Sequence, residues 1–391
     1  MGEWKTASLI EFADVIPSNV DKVLTANEIP VYLCNYMDAY SNRFIRAGMS
    51  FAPGTVRQSE LGRFRLRKGD VIVTKDSETP DDIGIPAVIS DEIDNLVCGY
   101  HLAVIRADQS KYNGTFLMYA LQAENPVRYF STMCNGITRY GLTLDALQRQ
   151  KVFLPNEKIE QTKIAEILYV VDDAIDKTRA LIDKYVDIKA GLMQDLLGKG
   201  DEVRLGDKRY FEINPRNTAL PTSFYYVDLE SVVAGELLKH NIVTRSTAPS
   251  RAQRILRCKD ILFQMVRPYQ QNNYFFEYEF DLPAVASTGY AQIRTTQNPK
   301  FLYYALHTEK VLRNVVARCT GSNYPAINST ELKRVRVVLP SVDEQGVIAE
   351  QLTSADKKIQ TEQAYLAKLQ DIKRGLMHDL LTNKVSVDAL M

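Results

Sequence analysis

Seven consecutive residues in the second half of the chain, Arg267-Pro268-Tyr269-Gln270-Gln271-Asn272-Asn273, set a run of amides beside an arginine. A side-chain amide can bond the edge of adenine through two hydrogen bonds, and a guanidinium can do the same for guanine. The run follows the apolar stretch Lys259-Asp260-Ile261-Leu262-Phe263. A similar stretch in the first half, Gly69-Asp70-Val71-Ile72-Val73, is followed by Lys75-Asp76-Ser77-Glu78-Thr79. A second corresponding pair is Asn135-Gly136-Ile137-Thr138-Arg139-Tyr140 and Thr320-Gly321-Ser322-Asn323-Tyr324. Each is polar, holds a glycine and ends on a tyrosine. Arg251, Arg254 and Arg257, spaced by three, could line a phosphate-facing helix. The competing readings are solvated loops, structural turns with tyrosine packed inward, and a plain charged face.

No catalytic constellation accompanies these loops. The chain has no G-x-x-x-x-G-K-[ST] phosphate loop, no Asn-Pro-Pro-Tyr or Asp-Pro-Pro-Tyr, no H-E-x-x-H and no G-x-S-x-G. Asn125-Pro126, Asn214-Pro215 and Asn298-Pro299 each lack the second proline and the aromatic residue that would stack an extruded base. Glu277 and Glu279 read as exposed acids on a strand edge. The five cysteines and four histidines are scattered, so no metal site is expected and the thiols read as reduced core filler in a cytoplasm. No apolar stretch is long enough to span a membrane, and Met1 to Ile10 has no signal-peptide core.

The 48 basic and 48 acidic side chains cancel, which is not the footprint of an ordinary polyanion binder. The balance is uneven, however. Residues 1–150 carry 15 basic and 18 acidic side chains, and residues 201–335 carry 18 and 13. Only the second segment has the charge expected of a nucleic-acid binder on its own.

The loops must be held by something, and an internal repeat says what. Ile188-Lys189-Ala190-Gly191-Leu192-Met193-Gln194-Asp195-Leu196-Leu197 returns at Ile372 to Leu381 with eight of ten residues identical, 184 positions later. Leu154-Pro155 returns as Leu339-Pro340, and Ile164-Ala165-Glu166 as Ile348-Ala349-Glu350. A period this long marks a duplicated module rather than a solenoid.

Each repeated tail is a long helix. Apolar residues fall at Ile164, Leu168, Val171, Ile175, Ile182, Tyr185, Leu192 and Leu196, and again at Ile348, Leu352, Ala355, Ile359, Leu366, Leu369, Leu376 and Leu380. Spacings of three, four and seven place most of them on one face, and Gly198-Lys199-Gly200 stops the first helix. The simplest way to bury both stripes is an antiparallel coiled coil of the two helices. The upstream segments read as mixed α/β. Strands are expected at Val71 to Thr74, Ala103 to Arg106 and Val335 to Leu339, and helices at Phe116 to Ala123 and Phe301 to Val316. The organisation is therefore a globular domain at 1–155, a helical spacer at 156–200, a second globular domain at 201–340 and a C-terminal helical spacer at 341–391.

Two variable domains, each followed by Leu-Pro, Ile-Ala-Glu and Gly-Leu-Met-x-Asp-Leu-Leu in that order, resemble the specificity subunit of type I restriction–modification systems. The resemblance covers the whole chain. A glutamine common before the helix in that family stands in Glu344-Gln345, whereas Glu160-Gln161 is one residue out of step.

The resemblance implies a non-catalytic DNA-binding subunit in a prokaryotic cytoplasm. Each domain would be a target-recognition domain reading one half of a split, asymmetric target in double-stranded DNA. The helix pair would set the spacing and dock two methyltransferase subunits, with restriction subunits joining them. S-adenosylmethionine, ATP and Mg²⁺ are then expected on those partners, not on this chain. The expected DNA contacts are Lys75, Ser77, Thr79, Asn135, Thr138, Arg139, Tyr140, Arg251, Arg254, Arg267, Tyr269, Gln270, Gln271, Ser322, Asn323 and Tyr324. The expected helix-pair positions are Ile164, Leu168, Val171, Ile175, Ile182, Leu192, Ile348, Leu352, Ile359, Leu366, Leu369 and Leu376. Two alternatives stay open: a related system with one fused cutting-and-methylating partner, and an interaction scaffold that does not bind DNA.

Overall fold

The computed structural model describes residues 3–216, 219–239, 241–277 and 281–387. His240 and Glu279 lie outside them. The chain forms two compact units, one made of residues 1–179 and 365–391, the other of residues 180–364. Both long helices therefore begin in one unit and end in the other.

In the first unit a five-stranded sheet runs in the order Ala13–Pro17, Leu102–Ala107, Val71–Thr74, Pro86–Ile89 and Phe44–Ile45. Val71–Thr74 is buried along its whole length, which explains its uninterrupted apolar run. A separate three-stranded sheet of Ala52–Val56, Ile29–Cys34 and Leu96–Cys98 packs against it through Cys34, Leu96 and Cys98. Helices α1 (Gly114–Leu121) and α2 (Glu124–Met133) follow, and Asn113 caps α1 by accepting from the Phe116 N–H. Strand Trp4–Ser8 pairs antiparallel with Lys151–Pro155, so the Leu154-Pro155 step ends the domain beside its own beginning. Helix α3 (Lys158–Leu196) starts immediately afterwards. Ile164, Ala165 and Leu168 at its start join Phe116, Leu117, Tyr119 and Phe130 in one core, to which Leu380, Leu381 and Val387 also belong.

The second unit repeats this plan with different contents. Its main sheet runs Phe211–Ile213, Tyr290–Thr295, Ile261–Gln264, Tyr274–Phe275, and a second sheet runs Asn241–Thr244, Ser223–Val227, Ala284–Ser287, Ala252–Ile255. The helical region expected over Phe301 to Val316 is two helices, α4 (Pro299–Ala305) and α5 (Glu309–Val316), broken at Leu306 to Thr308. Strand Asp201–Arg204 pairs with Arg336–Leu339, and Pro340 leads into α6 (Val342–Leu381). Gly200 makes the turn from α3 to that first strand at φ +132°, where a Cβ would lie 2.4 Å from the Leu339 carbonyl oxygen. Phe301, Leu302 and Tyr304 share a core with Ile348, Ala349 and Leu352 of α6 and with Leu197 just after α3.

Each apolar stripe thus has two jobs. Within each unit the two helices run antiparallel, the start of one beside the end of the other. Ile164, Leu168, Ile348 and Leu352 bury themselves in the globular cores, with Leu192 and Leu376 packed against their edges. Ile175, Ile359 and Leu369 are buried farther along the helices, while Val171, Ile182 and Leu366 keep partial exposure.

The out-of-step glutamine is resolved. Gln161 donates to the Pro155 carbonyl at 3.0 Å and accepts from the Asn113 N–H at 2.8 Å. Gln345 donates to the Pro340 carbonyl at 2.9 Å and accepts from the Asn298 N–H at 3.0 Å. The two are equivalent, and the extra residue of the first half falls before its helix, in Asn156-Glu157 against Ser341. Both amides are buried, so each satisfies backbone groups that water cannot reach.

Candidate nucleic-acid interface

In each unit the fold brings the two corresponding loops together. In the first, Asp76–Ser77 pairs antiparallel with Tyr140–Gly141, and Asn135 and Gly141 exchange backbone hydrogen bonds of 3.0 and 2.9 Å. The loop from Asn135 is tight enough to require glycine at 136: φ is +155°, and a Cβ would lie 1.9 Å from the Arg139 carbonyl oxygen. Ile137 at the tip is 92% exposed, and Asn135, Thr138 and Arg139 are exposed with it.

Arg139 does not hang free. Its guanidinium lies 3.1 Å from both ring nitrogens of His101, and His101 Nδ1 is 2.8 Å from Asp76 Oδ2. Donation from Nδ1 to the carboxylate leaves Nε2 to accept from the arginine. Tyr36 meets the His101 ring edge-on and stacks with Tyr40, whose hydroxyl donates to Asp82 at 2.8 Å. His101, Tyr36 and Tyr40 had no local signature in the sequence. They reach the loop from segments far away along the chain.

Two expected contacts in this unit turn inward. Lys75 is half-buried and donates to the Ser18 carbonyl at 3.0 Å. Ser77 is buried and accepts from the Thr79 N–H at 3.3 Å. Both hold the loop, whereas Thr79 itself is exposed and Tyr140 half-buried.

In the second unit the bridge is made by Val266 and Ala326 and by Thr320 and Ala326, and the Arg267 N–H donates to the Pro325 carbonyl at 2.7 Å. Arg267 sits at φ +52°, ψ +53°, a left-handed conformation that an arginine adopts at a cost. Its guanidinium carbon lies 4.3 Å from the centre of the Tyr324 ring, within cation–π range, and its Nε has no hydrogen-bond partner among the described residues. Tyr269 and Tyr324 are more than half exposed, and Gln270, Ser322 and Asn323 are exposed beside them.

The amides divide by role. Gln271 donates to the His307 carbonyl at 3.4 Å, and the Asn272 carbonyl accepts from the Ala234 N–H at 3.0 Å. Asn273 is buried between Gln264 and His307. All three take part in the loop's own hydrogen bonds, Gln271 among them. Gln270 gives its carbonyl to Gln264 and is exposed.

The arginine helix is also corrected. Ala252–Ile255 is a strand, on which Arg254 is half-buried, its Nε without a hydrogen-bond partner among the described residues. Burial lowers the pKa of that guanidinium. Arg251 is exposed before the strand, and the Arg257 N–H donates to Asp260 at the next turn. Spacing by three had no apolar periodicity beside it, so it carried no helix.

His307 is a titratable group packed against this loop. Its ring is half-buried, with Nδ1 2.7 Å from the Tyr303 carbonyl oxygen and Nε2 3.2 Å from Asn273 Nδ2. Burial holds its pKa below the usual 6.5. As pH falls below about 6.5 the unfolded chain takes up a proton that the folded unit refuses. The stability contribution is complete above that value and is lost below it, by at most about 1.4 kcal/mol per pH unit. Urea midpoints at pH 7.5 and 5.5 should show this fall, and His307→Gln should flatten it. An equal fall in the variant would assign it to other groups.

The pattern of this fold is matched among known proteins. The family model described as "Type I restriction modification DNA specificity domain" matches residues 1–184 and 213–371. The provisionally named MjaX type I restriction enzyme specificity subunit of Methanocaldococcus jannaschii is 24% identical over 358 residues, covering 85% of this chain and 82% of that protein. The crystal structure of a type I restriction–modification S subunit from M. genitalium superposes with a TM-score of 0.63 at 15% identity, over 97% of this chain and 96% of that one. A chain from a structural study of type I system assembly superposes with a TM-score of 0.54 at 17% identity, over 97% of each chain. At such identities the two structures speak to the fold alone. With its domain model matched in both halves of the sequence, this chain belongs to the type I restriction modification DNA specificity domain family.

Proposed function

We propose that each unit reads one half of a split, asymmetric DNA target, and that the α3–α6 pair sets the gap between the halves and carries the docking surface for two methyltransferase subunits. The observation that supports this is the repeated clasp of two loops into one exposed edge, with unlike residues on the two edges. Thr138, Arg139 and Tyr140 stand on one, and Arg267, Tyr269, Gln270, Ser322, Asn323 and Tyr324 on the other. Unlike edges suit unlike half-sites. The chain itself is a non-catalytic recognition component. S-adenosylmethionine, ATP and Mg²⁺ would be held by methyltransferase and restriction partners.

Co-expression with its methyltransferase partner and sequencing of methylated DNA tests the reading. The expected pattern is one split, asymmetric motif. Arg139→Ala should relax or weaken one half of it and Asn323→Ala the other, each by about 1–3 kcal/mol of discrimination. A chain that recovers no methyltransferase and prefers no DNA over random sequence would have to be reassigned as a scaffold.

A further inference from the structure

The lysine of the repeated Ile-Lys-x-Gly-Leu-Met block has a partner that its own helix does not supply. In the first unit Lys373 of α6 lies 2.8 Å from Asp172 of α3, and the Tyr119 hydroxyl of α1 donates to Asp172 at 2.8 Å. In the second unit Lys189 of α3 lies 2.5 Å from Asp356 of α6, and the Tyr304 hydroxyl of α4 donates to Asp356 at 2.7 Å. Each ammonium also sits over its tyrosine ring, at 5.8 and 5.6 Å. These are the same three residue types at corresponding places. Each helix gives its aspartate to one unit and its lysine to the other.

That exchange works only if the spacing agrees. Asp172 and Lys189 are seventeen residues apart, and so are Asp356 and Lys373, about 26 Å along either helix. Two antiparallel helices can then satisfy both pairs in a single register. A slip of one heptad carries both lysines about 10 Å from their carboxylates. Parallel helices in the same alignment would set aspartate against aspartate and lysine against lysine. Apolar stripes tolerate such slips far better, because one leucine replaces another at little cost. A buried polar group is the best-attested device for fixing register.

We infer that the two Tyr–Asp–Lys triads fix the register and orientation of the helix pair, and act as positioning residues for the spacing of the DNA target. The spacing half of this rests on the proposed DNA reading; the register half does not.

The test uses the full chain. Cys134, Cys258 and Cys319, the cysteines with surface exposure, are replaced by serine. Spin labels are placed through Val186→Cys and Thr361→Cys, at exposed positions on α3 and α6 of the second unit. The triads are neutralised together by Asp172→Asn, Asp356→Asn, Lys189→Met and Lys373→Met, which leaves no unpaired buried charge. The expected result is a helical protein whose single label distance becomes several, with steps of about 10 Å. With methyltransferase subunits added, methylated targets should then show more than one spacer. A single unchanged distance overturns the inference. Several distances with one unchanged spacer would keep the register key and remove its link to DNA.

If the neutralised chain does not fold, Lys189→Asp alone and with Asp356→Lys decides the matter. The single change should broaden the distance and the double change restore it. Failure to restore it overturns the inference.

Discussion

Asp172→Ala is expected to be the most destabilising single polar substitution in the first unit, by about 3–5 kcal/mol. Asp172 is fully buried. It faces Lys373 at 2.8 Å and Arg43 Nε at 3.3 Å, and accepts from Tyr119. Removing the carboxylate strands the Lys373 ammonium, while Arg43 keeps its ion pair to Asp176 at 3.0 Å. Burial already lowers the Lys373 pKa and raises that of Tyr119, so neither group has much water to fall back on. Asp356→Ala should cost clearly less, because that side chain is 29% exposed and holds one cation. Calorimetry of the full chain should show a transition lowered by roughly 10 °C for the first change and by a few degrees for the second. Equal shifts would mean that burial does not separate the two triads.

Little of this could be read along the chain. Local periodicity showed the frame: Val71–Thr74 is an unbroken β-branched run, and the recurring leucines of α3 and α6 mark their faces. Nothing local marks the Asp172 carboxylate, since its partners lie at Arg43, Tyr119 and Lys373 and no window contains them. The clasped loops were legible as corresponding places in two halves. Which of their side chains face out was not. Lys75 and Gln271 have the chemistry of DNA ligands, and only the folded chain shows that each also donates to a backbone carbonyl, of Ser18 and of His307. His101 was missed for the same reason, because its meaning comes from Asp76 and Arg139 on two other segments.

Lengthening the helix pair should move the two half-sites apart, but only when both helices are lengthened. The boundary between the units falls after Arg179 in α3 and after Ala364 in α6. A heptad inserted at both places lengthens each helix by about 10 Å and returns each apolar stripe to within about 20° of its old face. It also leaves each triad whole, because Asp172-to-Lys189 and Asp356-to-Lys373 grow by the same seven residues. If the pair is a ruler, methylated targets of the double insertion should carry a spacer longer by about three base pairs, at about 3.4 Å each. An unchanged spacer would remove the ruler. A heptad in α3 alone makes the two spacings unequal, so that no register satisfies both lysines. The expected result is loss of methylation or a mixture of spacers, and a single clean spacer from that chain would mean that the helices find their alignment without the triads.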